Sequence, residues 1–358
     1  METKKKEGNK KAPSKALKVI GVIVADMILL GMVLCTFAYF HHVRPHKSTE
    51  EPIVIERPTS TPAPVEESVS ETELNDVTAE PTEALPLTWK EKFADMFTDG
   101  EIIHTEDSFI SENTHVTITR VETTLERAYQ GEMVTYPLVY YVADIYITDV
   151  EQFSTAFPKG EYMQGTTGST LFQVRDNNGI VGVNGDNYGS RSLGLVIRNG
   201  VLYRQNLFEG DVMVLYYDGT MEPIFYSDVN IEEIVAKSPY QAWSFGPVLL
   251  KDGQMVSDST LPDYIRGDNP RTAIGYYEPG HYCMVVVEGR SDDSIGADIR
   301  ELAQIFYNLG CESAYNLDGG ATSAMVYDDQ YVNERADGGR HSTDTILILD
   351  PDYVKEGE

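Results

Sequence analysis

The sequence predicts an α+β domain, rich in strands with a few helices, lying outside the cell behind a transmembrane helix and a disordered stalk. Three observations predict it. One long apolar run follows a lysine-rich start, a Pro/Ser/Thr/Glu-rich segment comes next, and many apolar segments ending in Gly/Asn/Asp turns fill the rest. The chain has 358 residues, is 41% hydrophobic and carries a formal charge of -29. Such an acidic surface repels nucleic acid and anionic lipid, so nucleic acid is not an expected partner. An anionic substrate would need a local cationic site to override that field.

Residues 1–18 read as a basic cytoplasmic tail, with Lys4, Lys5, Lys6, Lys10, Lys11, Lys15 and Lys18 ahead of the apolar run. Residues 19–40 (VIGVIVADMILLGMVLCTFAYF) match the ~20 residues that a membrane-spanning helix needs. The positive-inside rule then expects a single-pass cell-membrane protein, its N-terminus cytoplasmic and its C-terminal domain extracellular. A cleaved signal peptide is the rival, but its apolar core is usually shorter, ~7–15 residues. Asp26 inside the run would cost roughly 2.5–3.5 kcal/mol at a bilayer centre. Residues 41–88 are rich in Pro, Ser, Thr and Glu and nearly free of aromatics, and read as a disordered acidic stalk.

Residues 89–358 read as one domain. Trp89, Phe93 and Phe97 share a face of a short helix. THVTITRVE, VYYVADIYITD, GIVGVNGDN, SLGLVIRNG, DVMVLYYDGT, HYCMVVVEG and DTILILD read as strands. VNIEEIVAK suits a helix capped by Asn230. Residues 297–309 suit a longer one, with Ile299, Leu302, Ile305, Phe306 and Leu309 in a stripe and Gly310 as C-cap. Cys283 and Cys311 have no metal-ligand spacing, and either a single bridge or two buried thiols would suit them.

Several polar clusters each follow an apolar strand and contain a glycine. NLDGGATSAM places Asn316, Asp318, Gly319, Gly320, Thr322 and Ser323 at a tight turn, where backbone N–H groups can face a ligand. VNGDNYG holds Asn184 and Asp186, DNPRTAIGYY holds Arg271, VVVEGR holds Glu288 and Arg290, and DGGRHSTDT holds Arg340 and His341. Taken singly, each is ordinary turn chemistry or a surface ion pair. Together they fit one site built from loops at a sheet edge. Arginine forks suit phosphate and paired carboxylates suit glycosidic chemistry.

The order NGDNYG, SFGPVLLKDG, NPRTAIGYY, VVVEGRSDDSIG and NLDGGATSAMV resembles the phosphodiester glycosidase family, over roughly residues 179–349. That family's usual patterns are NLDGGGSSTM and DGR. Here Ala321, Thr322 and Ala324 replace Gly, Ser and Thr, and Glu288 stands where Asp is common. The resemblance implies a hydrolase that cleaves a sugar-1-phosphodiester, of the N-acetylglucosamine-1-phosphate type or a relative, on a cell-surface polysaccharide or glycoconjugate. Asp318, Glu288 and Arg271 are then the expected catalytic residues. Arg271 would hold the phosphate with Arg340 or His341, one carboxylate would activate water or attack the anomeric carbon, and the other would stabilise oxocarbenium charge. Asn184, Asp186, Asn316, Gly319, Gly320, Thr322, Ser323, Arg290, Arg340 and His341 are the expected substrate-binding set. No cofactor and no catalytic metal is expected. Loop carboxylates leave room for a structural Ca²⁺, without diagnostic spacing. A non-catalytic polysaccharide-binding protein and a transferase remodelling cell-wall phosphodiesters are the alternatives.

Overall fold

Two long strands, Thr114–Tyr129 and Glu132–Ile147, run through the larger of the two units into which the chain divides, Lys47–Glu358. The computed structural model describes residues 15–38, 51–58, 87–206, 209–257 and 263–355. Alternating Val116, Ile118 and Ile145 face inward on these strands while polar neighbours face out. Gln130 and Gly131 close the hairpin with φ of 52° and 88°, the paired positive values that a two-residue turn between twisted strands requires.

The hairpin sits within a nine-stranded sheet. Next to it lie His281–Val287, Arg271–Glu278, Ser313–Asn316, Val248–Lys251 and Gln254–Met255 on one side, and Ser108–Ile110 and Ile103–His104 on the other. A six-stranded sheet runs Ile53–Val54, Val201–Asn206, Gly194–Arg198, Pro239–Trp243, Val212–Tyr216 and Met221–Ile224. A five-stranded sheet runs Gln330–Tyr331, Met325–Tyr327, Val181–Asn184, Thr345–Ile348 and Phe153–Ala156. The inner faces of all three share one core, to which they contribute Ile145 and Met284, Met213 and Trp243, and Val183 and Ile346 respectively.

Helices cover the outer faces. Ile299–Leu309 lays Leu302 and Phe306 on Ala273 and Val285 of the nine-stranded sheet. It starts at an Asp298/Glu301 capping box and stops at Gly310, φ 82°, as the sequence predicts. Ile231–Ala236 is capped by Asn230, which accepts from Glu233 N–H, and covers the six-stranded sheet. Thr170–Asp176 packs Val174 on Val326 and Leu347 of the five-stranded sheet. The strand-rich α+β domain is therefore as expected. The helix at Trp89 is shorter, Trp89–Lys92 followed by one 3₁₀ turn at Ala94–Met96.

Two expectations are corrected. Residues Lys15–Ala38 form a helix, but no helix among the described residues is long and apolar enough to cross a membrane. The single-pass anchor and the extracellular placement derived from it do not stand. The stalk of residues 41–88 is also not uniform. Residues 39–50 and 59–86 lie outside the described residues, but 51–58 pack onto the domain. Ile53 and Val54 pair with Leu202 and Val201, Ile55 is buried, and Arg57 binds Asp149 at 2.7 Å and Glu151 at 3.2 Å. Cys283 and Cys311 are free thiols, buried with their sulfurs 3.6 Å apart.

Candidate active site

Strand register brings the polar clusters to one edge. Arg271 lies opposite Val287, Thr272 opposite Val286, and Ala273 opposite Asn316. The residues after these strands, Glu288–Arg290 and Asp318–Gly320, therefore leave the nine-stranded sheet on either side of Pro270. Their glycines allow the approach. A Cβ on Gly319 would lie 2.8 Å from Pro270 O, and one on Gly289 3.0 Å from Pro270 N. Gly320 has φ 68°, donates its N–H to Pro270 O at 2.8 Å, and would place a Cβ 3.0 Å from Arg290 Nη2. Side-chain bulk is excluded because two loops and an arginine meet here.

Asp318 is the buried carboxylate of this turn. One oxygen accepts from Gly319 N–H at 3.0 Å, the other from Arg340 Nη2 at 2.8 Å. Arg340 also donates through Nε to Thr322 Oγ1 at 2.6 Å. Burial pushes the Asp318 carboxyl up, against the pull of Arg340, Thr322 and the Gly319 N–H. The Asp318 side chain is 11% exposed and that of Arg340 56%, so the guanidinium is anchored at one end and open to solvent at the other.

Glu288 is the second carboxylate. Its Oε1 accepts from Glu334 N–H at 2.6 Å. Burial raises its pKa as well, opposed by that N–H, by Arg120 and by Tyr141, and reinforced by the Glu334 charge. Asn333 ties the two halves together, accepting from Met325 N–H at 2.7 Å and donating to Ser323 O at 3.3 Å and Glu334 O at 3.1 Å. Arg290 has φ 63° and reaches over Gly320, donating to Asn269 Oδ1 at 2.8 Å and pairing with Asp337. Asp318, Gly319, Gly320, Thr322, Arg290 and Arg340 are thus one constellation, and Glu288 stands two residues before Arg290 on the adjoining loop. Ser323 adjoins it with a buried hydroxyl that has no hydrogen-bond partner. His341 follows Arg340 and is exposed.

Four predicted site residues are placed otherwise. Arg271 Nε donates to Ala297 O at 3.0 Å, and its Nη2 to Ile265 O at 2.7 Å and Gly267 O at 2.6 Å. It is 5% exposed, burial pushes it down to about 10, and its Nε and Nη2 are taken up by carbonyls of the loops around Pro270. Asn184 is a fully buried knot. Its Oδ1 accepts from Thr272 Oγ1 and Ala324 N–H, and its Nδ2 donates to Asp318 O at 2.7 Å. It positions Asp318 and has no capacity left for a sugar hydroxyl. Asn316 donates to Gly246 O at 2.8 Å and is 1% exposed. Asp186 belongs to a buried triad, considered next.

Arg198 Nη2 meets Asp186 Oδ1 at 2.8 Å, Arg198 Nε meets Asp344 Oδ2 at 2.8 Å, and all three side chains are 0% exposed. Asp186 also accepts from Ser244 N–H at 2.9 Å and Tyr188 N–H at 3.1 Å. Burial opposes the Arg198 charge and the two carboxylates more than offset it, so its pKa is raised. Burial pushes Asp344 up to about 7, Arg198 notwithstanding. Gly185 is required beside it, since a Cβ there would sit 2.0 Å from Asp344 Oδ1. The sequence reading missed this triad. A lone arginine ending the apolar strand GLVIR was the available signal. Among the described residues, no group of three or more His, Cys, Asp or Glu side chains is placed to hold a metal ion.

Residues 173–349, which carry this whole constellation, match the phosphodiester glycosidase family profile. The chain is 29% identical over 204 residues to the SPbeta prophage-derived uncharacterized protein YomE of Bacillus subtilis (strain 168). That alignment covers 54% of this chain and 32% of YomE, so the chain spans about a third of that relative's length. In fold, the chain is similar to the catalytic domain of zebrafish N-acetylglucosamine-1-phosphodiester alpha-N-acetylglucosaminidase, a structure described as auto-inhibited by its pro-peptide. The TM-score is 0.55 at 15% identity, over 66% of this chain and 88% of that one.

Proposed function

We propose that the chain hydrolyses a sugar-1-phosphodiester, of the N-acetylglucosamine-1-phosphate type or a related one, releasing the sugar and leaving a phosphate monoester on its partner. The observation that carries this reading is the Asp318–Arg340 pair at the Gly319–Gly320 turn, with Arg290 above it and Glu288 on the facing loop. A phosphate monoester leaves as a stable anion. It needs cationic stabilisation more than a proton, and a planar guanidinium supplies two aligned donors. Arg340 and Arg290 both present guanidinium groups partly open to solvent in an otherwise acidic chain. They take the phosphate role that the sequence assigned to Arg271.

Asp318 and Glu288 share the chemistry at the anomeric carbon. Burial raises both carboxyls, which makes each a stronger base than a solvated acid while the surrounding donors favour the ionised form. Activity that requires the ionised forms is lost as pH falls through the raised values. The acid limb of the rate profile is therefore expected above the ordinary carboxylate range. The test is sugar release from a GlcNAc-1-phosphodiester by the full chain and by Arg340→Ala. A loss of about 10²–10³-fold in kcat/KM is expected for a phosphate-binding cation. Near-normal turnover in that variant would remove Arg340 from the site.

A further inference from the structure

Three side chains on neighbouring strands of the nine-stranded sheet form a line that ends on Glu288. Arg120 is the cross-strand partner of Tyr141, and Tyr141 is the partner of Val286, two residues before Glu288. All three side chains lie on the same face, because Arg120 continues the alternation of Val116 and Ile118, whose inward face Tyr141 and Val286 share. Arg120 Nε donates to Tyr141 Oη at 3.0 Å. Tyr141 faces the Glu288 carboxyl and is itself buried. A phenol has one hydrogen to give. With its oxygen accepting from Arg120, the O–H is free to donate to the Glu288 carboxylate, which stands diagonally across from it on the same face of the sheet.

The pair comes from the long hairpin, outside residues 173–349. The hairpin also clamps the loop that carries Glu288. Val139 N–H donates to Ser294 Oγ at 3.1 Å, Ser294 Oγ donates to Glu288 O at 2.9 Å, and Ile295 N–H donates to Pro137 O at 3.2 Å. Further out, Arg127 binds Glu301 and Asp268, at 2.6 Å and 2.7 Å. The two carboxylates of the site are therefore supported differently. Asp318 leans on Arg340, which an incoming phosphate would share. Glu288 leans on donors that no substrate phosphate needs.

We propose that Arg120 and Tyr141 are positioning residues that keep Glu288 ionised and aimed, and that Glu288 is the carboxylate that takes the proton from the attacking water. The proposal rests on the hydrolase reading above. In the step, the water oxygen bonds to the anomeric carbon and its proton passes to Glu288. The carbon–oxygen bond to phosphate breaks, with its electron pair leaving on the phosphate oxygen. Glu288 then releases the proton to solvent. The charged and titratable groups facing Glu288 are Arg120, Tyr141 and Glu334, and Glu122 pairs with Arg120 behind them.

The experiment has two readouts on the full chain. Carbon-13 NMR of glutamate-labelled protein follows the titration of Glu288, assigned by its loss in Glu288→Gln. Rates of sugar release from methyl GlcNAc-1-phosphate, a simple sugar-1-phosphodiester, give the pH profile. Tyr141→Phe keeps the packing and removes the donor, so Glu288 should titrate at higher pH. The acid limb of kcat should move up with it, with kcat about tenfold lower on the acid side and KM little changed. Arg120→Gln should do the same and Arg120→Lys should partly restore it. Titration of Glu288 at its wild-type pH in Tyr141→Phe would overturn the positioning role whatever the rates. No sugar release by the wild type, with the titration shift intact, would overturn the hydrolase reading and the base role while leaving the Arg120–Tyr141 contact established.

Discussion

Arg271 and Arg340 look alike in the sequence, since each follows a turn and precedes an apolar strand. The structure separates them by what surrounds the guanidinium. Arg271 is consumed by three carbonyls, while Arg340 holds one carboxylate and stays more than half exposed. Composition and spacing cannot reveal this, because hydrogen-bond saturation depends on chain segments distant in sequence. The same holds for Asn184 and Asp186, which the sequence placed rightly at the site's edge but whose side chains are already satisfied. At this scale, Arg198→Met should cost about 3–5 kcal/mol in chemical denaturation, because it strands two fully buried carboxylates. A variant as stable as the wild type would mean the triad carries no net weight. Asp344 supplies a pH test. Its folded-state pKa, about 7, lies above the unfolded value, so the folded state binds the extra proton between roughly pH 4 and 7. Stability relative to Asp344→Asn should fall as pH rises through that window and level off above it. A difference that rises with pH would contradict the assignment.

Elements were more legible than side-chain partners. The outer halves of the two long strands, the strand His281–Val287 and the helix Ile299–Leu309 follow from alternation, from unbroken Val runs and from a capped apolar stripe, whereas residues 123–138, where the hairpin closes, do not. The turn at Asp318–Gly320 was also legible, because two adjacent glycines between buried segments mark a close approach. The strand Ile53–Val54 was not. Its three-residue apolar stretch sits in Pro- and Glu-rich sequence, and its stability comes from pairing with an edge strand and burying Ile55. Removing residues 1–58 should therefore lower the thermal midpoint and expose the edge Val201–Asn206 to self-association, measurable by light scattering. Ile55→Ala should reproduce about 2 kcal/mol of that loss. Arg57→Ala should cost no more than about 1 kcal/mol, since its ion pairs are solvent-exposed. An unchanged midpoint on truncation would show the segment to be a passenger.

For the whole molecule, three sheets share one core, and the ends of several strands deliver two carboxylates and two arginines to one edge. Residues 173–349 carry the proposed catalytic constellation, and in the proposal above the preceding hairpin braces it through Arg120, Tyr141 and Arg127. A chain of net charge -29 acting on an anion depends on Arg340 and Arg290 for local attraction, so its KM for a phosphodiester should rise with ionic strength. The central claim is that Asp318 and its neighbours form a phosphodiester-cleaving site. The most direct measurement is free sugar released from a GlcNAc-1-phosphodiester by the full chain, beside Asp318→Asn. The wild type should release sugar, and the variant, which keeps the shape and removes the charge, should lose at least about 10³-fold. Equal release by both would contradict that claim.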